Sequence, residues 1–206
     1  MFDIDTLLTR FGRFRAHAYD SATGNMPELA ANGQAPSCMI IGCVDSRVAP
    51  ELLFDAEPGE VLCQRHATAM VPPYRPERSN DPETSEFAVH FAVEQLGVRH
   101  IIVMFHRCCG GIAGLMASGA DAFVNDWRDK AYTELVSEGI VVPDDRQLAE
   151  RVERHGLIDS YRNLCAYPPV DEAVQAGALN VHGWYFDIVN GNLETYCAEE
   201  ARFQRL

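Results

Sequence analysis

Two stretches of the sequence decide the fold: CMIIGCVDSR at residues 38–47 and HIIVMFHRCCGG at residues 100–111. In each stretch an apolar, largely β-branched run leads directly into a group of Cys, His, Asp and Arg side chains. Such runs are typical of strands buried in a parallel sheet. Open α/β sheets place their sites at the carboxyl ends of such strands. The sequence therefore predicts two neighbouring strands whose ends meet at one site.

The two strand ends carry residues that bind metal ions. Cys43, His106 and Cys109 supply two thiolates and one imidazole. That is a ligand set for zinc with its fourth position left open, as in catalytic rather than structural zinc sites. Cys108 could replace Cys109 only by changing the His-x-x-Cys spacing, so we interpret it as a non-ligand that is open to oxidation.

Other conspicuous residues have simpler interpretations. A lone buried cysteine is usually a small apolar residue, which is how we interpret the cysteines at 38, 63, 165 and 197. We expect His182 to be a hydrogen-bonded core or interface histidine rather than a ligand. Asp45 and Arg47 could form a plain surface ion pair, but their position beside a metal ligand favours a role in the site.

The rest of the chain alternates between helical and strand patterns, which argues for a mostly parallel sheet flanked by helices. We expect one α/β domain over residues 1–206, with an N-terminal helical arm at 1–35 and a core at 36–198. The sheet should have four or five strands, including an antiparallel edge strand. The predicted strands are 38–43, 60–65, 100–105, 180–189 and one ending near 196, and the predicted helices are 4–15, 50–54, 83–96, 110–118, 122–138, 144–167 and 170–176.

Composition excludes several classes of protein. The formal net charge of −13 argues against binding nucleic acid or an anionic membrane through bulk electrostatics. No stretch is long and apolar enough to cross a bilayer, and the first residues lack the pattern of a signal peptide. The seven cysteines have no disulfide-framework spacing, which favours a cytoplasmic protein with reduced thiols.

Four segments together resemble the β-class carbonic anhydrases over nearly the whole chain. They are Cys-x-Asp-Ser-Arg at 43–47, Glu-Pro-Gly-Glu at 57–60, His-x-x-Cys-Gly-Gly at 106–111 and His-Gly-Trp-Tyr-Phe-Asp at 182–187. The resemblance implies that Cys43, His106 and Cys109 are the ligands of one Zn²⁺ per subunit. It also implies an Asp45–Arg47 dyad, reversible hydration of carbon dioxide to bicarbonate and a proton, and a homodimer or higher even oligomer.

The chemistry of these side chains agrees with that resemblance. Zinc lowers the pKa of a bound water to about 7, so that a zinc-bound hydroxide can be the nucleophile. Asp45 can accept a hydrogen bond from that hydroxide and orient it. Arg47 can hold Asp45 through its planar fork and keep it from becoming the fourth ligand. Open and closed sites both occur in the family.

The sequence departs from the family pattern at three places around the site. His66 stands where the family has an asparagine, Phe105 where it usually has glycine, and Glu86-Phe87 where small residues are usual. We expect Phe87 and Phe105, together with Gly110, to shape the pocket. His66 could transfer protons near neutral pH, or it could simply keep the hydrogen bonds of the amide that it replaces.

Three functions remain open at this point. The leading one is zinc-dependent hydration of carbon dioxide. The second is zinc-dependent hydrolysis of a related small heterocumulene such as carbonyl sulfide, although the family branches with that activity usually carry Met-Asp-x-Arg at the dyad. The third is a zinc-bearing homologue without catalysis. In each case we expect the narrow apolar stripe of the N-terminal helix to pack on a partner subunit.

Overall fold

The structure is a computed structural model that describes residues 3–21, 23–76, 84–116 and 146–206. Six strands are present in this part of the chain: β1 Cys38–Cys43, β2 Val61–His66, β3 His100–His106, β4 Asn180–Asp187, β5 Asn192–Cys197 and β6 Arg202–Arg205. They form one sheet in the order β2-β1-β3-β4-β5-β6. β1 to β4 run parallel, whereas β5 and β6 are antiparallel to their neighbours. The predicted fold class is confirmed.

Helices flank this sheet. Their bounds are α1 Ile4–Ala18, α2 Met26–Asn32, α3 Pro50–Leu53, α4 Thr84–His90, α5 Gly110–Met116, α6 Arg146–Cys165 and α7 Pro168–Gln175. A π-helical segment, Phe91–Gln95, continues α4. The predicted helix at 122–138 lies outside the described residues.

The sheet has one strand more than the sequence predicts. β6 contains a single apolar side chain, Phe203, between charged and amide residues, so its pattern does not resemble a strand. Phe203 nevertheless packs against Tyr196 and Tyr185, with ring centroids 5.5 and 6.2 Å apart. Tertiary packing of one aromatic ring, rather than local pattern, therefore creates a second antiparallel strand, and β6 instead of the predicted β5 forms the edge of the sheet. The short helix α2 was not predicted either.

Strand alternation divides the core between the two faces of the sheet. Most buried residues lie on the face covered by α4 to α7, where Ile41 and Val103 of the strands meet Leu157 and Leu164 of α6. The opposite face holds a smaller cluster around Ile102. Both faces of β1 and β3 are thus buried, which explains their continuous apolar sequences.

Helix α6 lies close to the sheet at Gly183. A Cβ placed on Gly183 would come within 2.8 Å of Leu157 Cδ2 and 3.4 Å of Tyr196 Cβ. The absence of a side chain at this position lets α6 approach β4, and this approach brings α6 next to the carboxyl end of β3, where the site lies.

Helix α1 leaves its apolar stripe in solvent. The exposed fractions run from 41% to 67% for its large apolar side chains, which are Ile4, Leu7, Leu8, Phe11 and Phe14. The helix does not fold back onto its own sheet, and its packing on a partner subunit stays a prediction.

No helix in the part of the chain that the structure describes is both long and apolar enough to span a membrane.

Candidate metal centre

The carboxyl ends of β1 and β3 bring three potential metal ligands together. Cys43 is the last residue of β1, His106 is the last residue of β3, and Cys109 lies just before α5. Their ligand atoms all lie within 4.8 Å of one another, and the two Sγ atoms are 3.9 Å apart. All three side chains are buried. The strand ends therefore place two sulfurs and a nitrogen around one point.

The tautomer of His106 leaves a lone pair facing that point. Its Nδ1 lies 3.0 Å from the carbonyl oxygen of Arg107, so Nδ1–H donates there, and in the neutral ring Nε2 carries the lone pair. Nε2 is buried and has no hydrogen-bond partner. A buried nitrogen without a partner is uncommon, and a metal ion at this point would satisfy it.

The spacing of the sulfurs fits zinc. With Zn–S bonds of about 2.3 Å and a tetrahedral angle, two cysteine sulfurs on one zinc ion are about 3.8 Å apart. The measured Sγ–Sγ distance of 3.9 Å agrees with this value. Cys43, His106 and Cys109 supply only three protein ligands, so a tetrahedral ion would keep one position for solvent or substrate.

Hydrogen bonds around the sulfurs favour a thiolate at Cys43. The Cys109 thiol donates to Cys43, which lowers the pKa of Cys43 and raises that of Cys109. The backbone N–H groups of Asp45 and Thr68 also lower the pKa of Cys43, and two N–H groups at the start of α5 lower that of Cys109 against the larger effects that raise it. These contacts favour a thiolate at Cys43 and leave the proton on Cys109.

Asp45 and Arg47 form a bidentate pair beside these ligands. Arg47 Nε donates to Asp45 Oδ1 at 2.9 Å, and Nη2 donates to Oδ2 at 2.6 Å. The backbone N–H of Arg47 adds a third bond to Oδ1 at 3.0 Å. These bonds hold the pKa of Asp45 well below its usual range. Oδ2 lies 3.9 Å from His106 Nε2, so an ionised oxygen faces the metal position.

A second arginine, which the sequence analysis did not identify, fixes the backbone of this loop. Arg65 Nε donates to the carbonyl oxygen of Cys43 at 2.9 Å, and its Nη2 donates to that of Asp45 at 2.8 Å. Arg65 lies near the end of β2, next to β1 in the sheet. Its position directly before His66, where the sequence departs from the family pattern, is the one sequence signal that pointed toward this role.

The other four predicted site residues differ in burial and in their contacts. His66 pairs with Cys43 in the β1–β2 register, its Nδ1 lies 3.2 Å from the Ala67 carbonyl oxygen, and burial lowers its pKa. Phe105 is 1% exposed and belongs to the same buried cluster as Cys43. Phe87 is 62% exposed on α4. Gly110 begins α5, with open space where a Cβ would stand.

Cys108 and His182 lie in the motif segments at 106–111 and 182–187, and neither is part of the ligand group. Cys108 is exposed and does not belong to the ligand group. Its φ of 59° is in the left-handed region, which reverses the chain between His106 and Cys109. His182 Nε2 lies 3.2 Å from His100 Nδ1, as expected for a hydrogen-bonded histidine.

Comparisons with known proteins agree with this geometry. The profile of the family described as carbonic anhydrase matches residues 38–193. A carbonic anhydrase from Pseudomonas aeruginosa is 34% identical over 205 residues, which cover 97% of this chain and 90% of that protein. The solved structure of the β-carbonic anhydrase CcaA has a TM-score of 0.84 at 27% identity, with 98% and 99% of the two chains covered.

A second solved structure comes from a study of two tetrameric β-carbonic anhydrases of the ascomycete Sordaria macrospora. It has a TM-score of 0.72 at 25% identity and covers 98% of this chain and 93% of that one. Profile, sequence and structure agree with the motifs at 43–47 and 106–111, and the chain therefore belongs to the β-carbonic anhydrase family of enzymes.

Proposed function

We propose that the protein binds one Zn²⁺ per subunit through Cys43, His106 and Cys109 and catalyses the reversible hydration of carbon dioxide to bicarbonate and a proton. The observation that carries the proposal is the pair of sulfurs 3.9 Å apart beside a buried, unpartnered His106 Nε2. Together with family membership, this geometry supports a cation site that has one face free for chemistry.

Asp45 orients the nucleophile in this proposal. Zinc, when bound, supplies a water that is acidic enough to act as a nucleophile near pH 7. Asp45 Oδ2 faces the ligand group, where it would accept the hydrogen bond of a water held there and orient that water toward the carbon of the substrate. Because the Arg47 bonds keep Asp45 ionised, Oδ2 is an acceptor throughout the neutral range.

Arg47 also decides whether the fourth position stays open. Asp45 Oδ2 would have to leave Arg47 Nη2, only 2.6 Å away, before it could approach a metal ion as a ligand. Arg47 is itself held by the carbonyl oxygen of Cys108 at 3.2 Å. These contacts support an open site in which Arg47 holds the carboxylate away from the fourth position.

The test combines metal analysis with stopped-flow hydration of carbon dioxide between about pH 6 and 9. We expect one zinc per chain and a rate well above the buffer background. Zinc-loaded protein without turnover would favour the non-catalytic homologue, and turnover of carbonyl sulfide alone would favour the related hydrolase. Purified protein that never carries zinc would refute all three.

We also propose a homodimer or a higher even oligomer in the cytoplasm. The exposed apolar stripe of α1 supports assembly, as does the tetrameric state of the Sordaria macrospora relatives. All seven cysteines are unpaired, which fits a reducing compartment. Sedimentation velocity tests the assembly, because a chain that sediments as a monomer at micromolar concentration would contradict it.

A further inference from the structure

The peptide group between Cys108 and Cys109 is held from both sides. Its carbonyl oxygen, on Cys108, accepts a hydrogen bond from Arg47 Nη2 at 3.2 Å. Its N–H, on Cys109, donates to Glu153 Oε1 at 2.9 Å. This peptide follows a residue with φ of 59°, a conformation that a cysteine keeps only where its surroundings impose it. The two hydrogen bonds are such surroundings.

Glu153 is a buried acid whose two oxygens face donors. It lies on α6 and is 1% exposed. Oε1 accepts from the Cys109 N–H, and Oε2 accepts from the Tyr185 hydroxyl at 2.6 Å. Burying a carboxyl group is costly unless it is hydrogen-bonded. One bond goes to the loop that carries the metal ligand Cys109 and the other to Tyr185 of β4. Glu153 therefore connects α6 and β4 to that loop.

These contacts form one continuous chain of hydrogen bonds. It runs from Tyr185 through Glu153 to the 108–109 peptide, then through Arg47 to Asp45. A rotation of that peptide would break the bond that anchors the backbone of Cys109 and would also withdraw the carbonyl that holds Arg47. The metal ligand and the carboxylate dyad therefore depend on one peptide orientation.

We propose that Glu153 is a positioning residue that fixes the 108–109 peptide, so that Cys109 points at the metal position while the Cys108 carbonyl holds Arg47 on Asp45. This inference rests on the proposed zinc site and deepens it. Glu153 does not touch the substrate, and it acts only through the backbone of the loop.

Two substitutions at Glu153 separate a hydrogen-bonding role from a role of charge. In Glu153→Gln the side-chain oxygen can still accept from the Cys109 N–H, and its amide can donate to the Tyr185 oxygen. Glu153→Leu fills a similar volume but offers no acceptor. Tyr185→Phe is the matched control, because it removes the other bond of Glu153 and leaves the Cys109 bond in place.

The first measurement is the zinc affinity of the zinc-free proteins, in competition with a chromophoric chelator. We expect Glu153→Leu to bind zinc about 10- to 100-fold more weakly, the usual effect of losing a hydrogen bond that orients a ligand. Glu153→Gln and Tyr185→Phe should stay much closer to the unsubstituted protein. Wild-type affinity in Glu153→Leu would overturn the proposal, as would equal losses in Glu153→Leu and either of the other two variants.

A second measurement needs no variant to fold. The backbone amide proton of Cys109 should exchange slowly with solvent in the unsubstituted protein, because it is buried against Glu153. Exchange as fast as that of an exposed loop amide would overturn the proposal. Neither readout depends on turnover, so an inactive protein with these zinc affinities and slow exchange would refute the proposed reaction and leave the role of Glu153 standing.

Discussion

Replacing Asp45 by asparagine tests the dyad most directly. The substitution keeps the shape but turns one oxygen into an NH₂ group. If the amide oxygen keeps the two bonds at Oδ1, the NH₂ group faces Arg47 Nη2 at the 2.6 Å now spanned by a hydrogen bond. Two donors then oppose each other, and the group that faces the metal position donates instead of accepting.

The magnitude follows from the bond that is lost. A hydrogen bond to a charged group contributes about 1.5 to 3 kcal/mol. At about 1.4 kcal/mol per factor of ten, this corresponds to roughly a 10- to 150-fold fall in kcat/KM. The misdirected donor adds to this loss, so we expect Asp45→Asn to fall at or beyond the upper end of that range.

Stopped-flow hydration with a pH indicator measures the effect, and zinc content is determined on the same samples. Asp171→Asn is the control, because Asp171 is exposed on α7 and accepts its hydrogen bond from Gln175 of the same helix. We expect the control to keep full activity and both variants to keep their zinc. Full kcat/KM in a zinc-loaded Asp45→Asn protein would remove Asp45 from the mechanism.

Three further predictions concern the surroundings of the site, the core and the assembly. Burial lowers the pKa of His66, so we expect His66→Asn to reduce kcat by much less than the roughly 100-fold loss expected when a proton-transfer group is removed. A variant with low kcat that recovers only at high buffer concentration would instead assign proton transfer to His66. Gly183→Ala should lower the free energy of unfolding, measured in urea, by about 1 to 3 kcal/mol, because the new Cβ would lie 2.8 Å from Leu157 Cδ2. Gly12→Ala is the control and should not destabilise the protein, because the space around Gly12 is open. Equal effects of the two substitutions would contradict this reasoning. Phe11→Glu should shift sedimentation toward smaller species with an unchanged circular dichroism spectrum, and an unchanged mass would argue against assembly through α1.

The parts of the site that the sequence predicts are those whose pattern is local. Cys43 and Asp45 follow one apolar run within three residues, and His106 and Cys109 follow another within four. Strand-end motifs of this kind can be interpreted without knowing the rest of the fold, since parallel strands in a sheet end at one edge. The same reasoning predicts the order of strands and helices through most of the described chain.

The supporting residues lack such a local pattern. Arg65 bonds to carbonyl groups 22 and 20 residues away, and Glu153 bonds to groups 44 and 32 residues away. Glu153 is one of several charged residues on an amphipathic helix, and only the approach of α6 to the sheet distinguishes it from its exposed neighbours. The placement of Phe105, in contrast, follows from a local pattern: it alternates in step with Val103 along β3, which places it on the helix-covered face of the sheet.

The two carbonyl bonds of Arg65 have a mechanical consequence. They tie Cys43 and Asp45 to the edge strand β2, whereas His106 and Cys109 belong to the central strand β3 and the loop that follows it. We therefore expect the separation between the Cys43 sulfur and the Asp45 carboxylate to be held firmly, whereas any sliding of β1 against β3 would change the gap between the two halves of the site. A cation coordinated by residues from both strands would cross-link them and restrain this sliding.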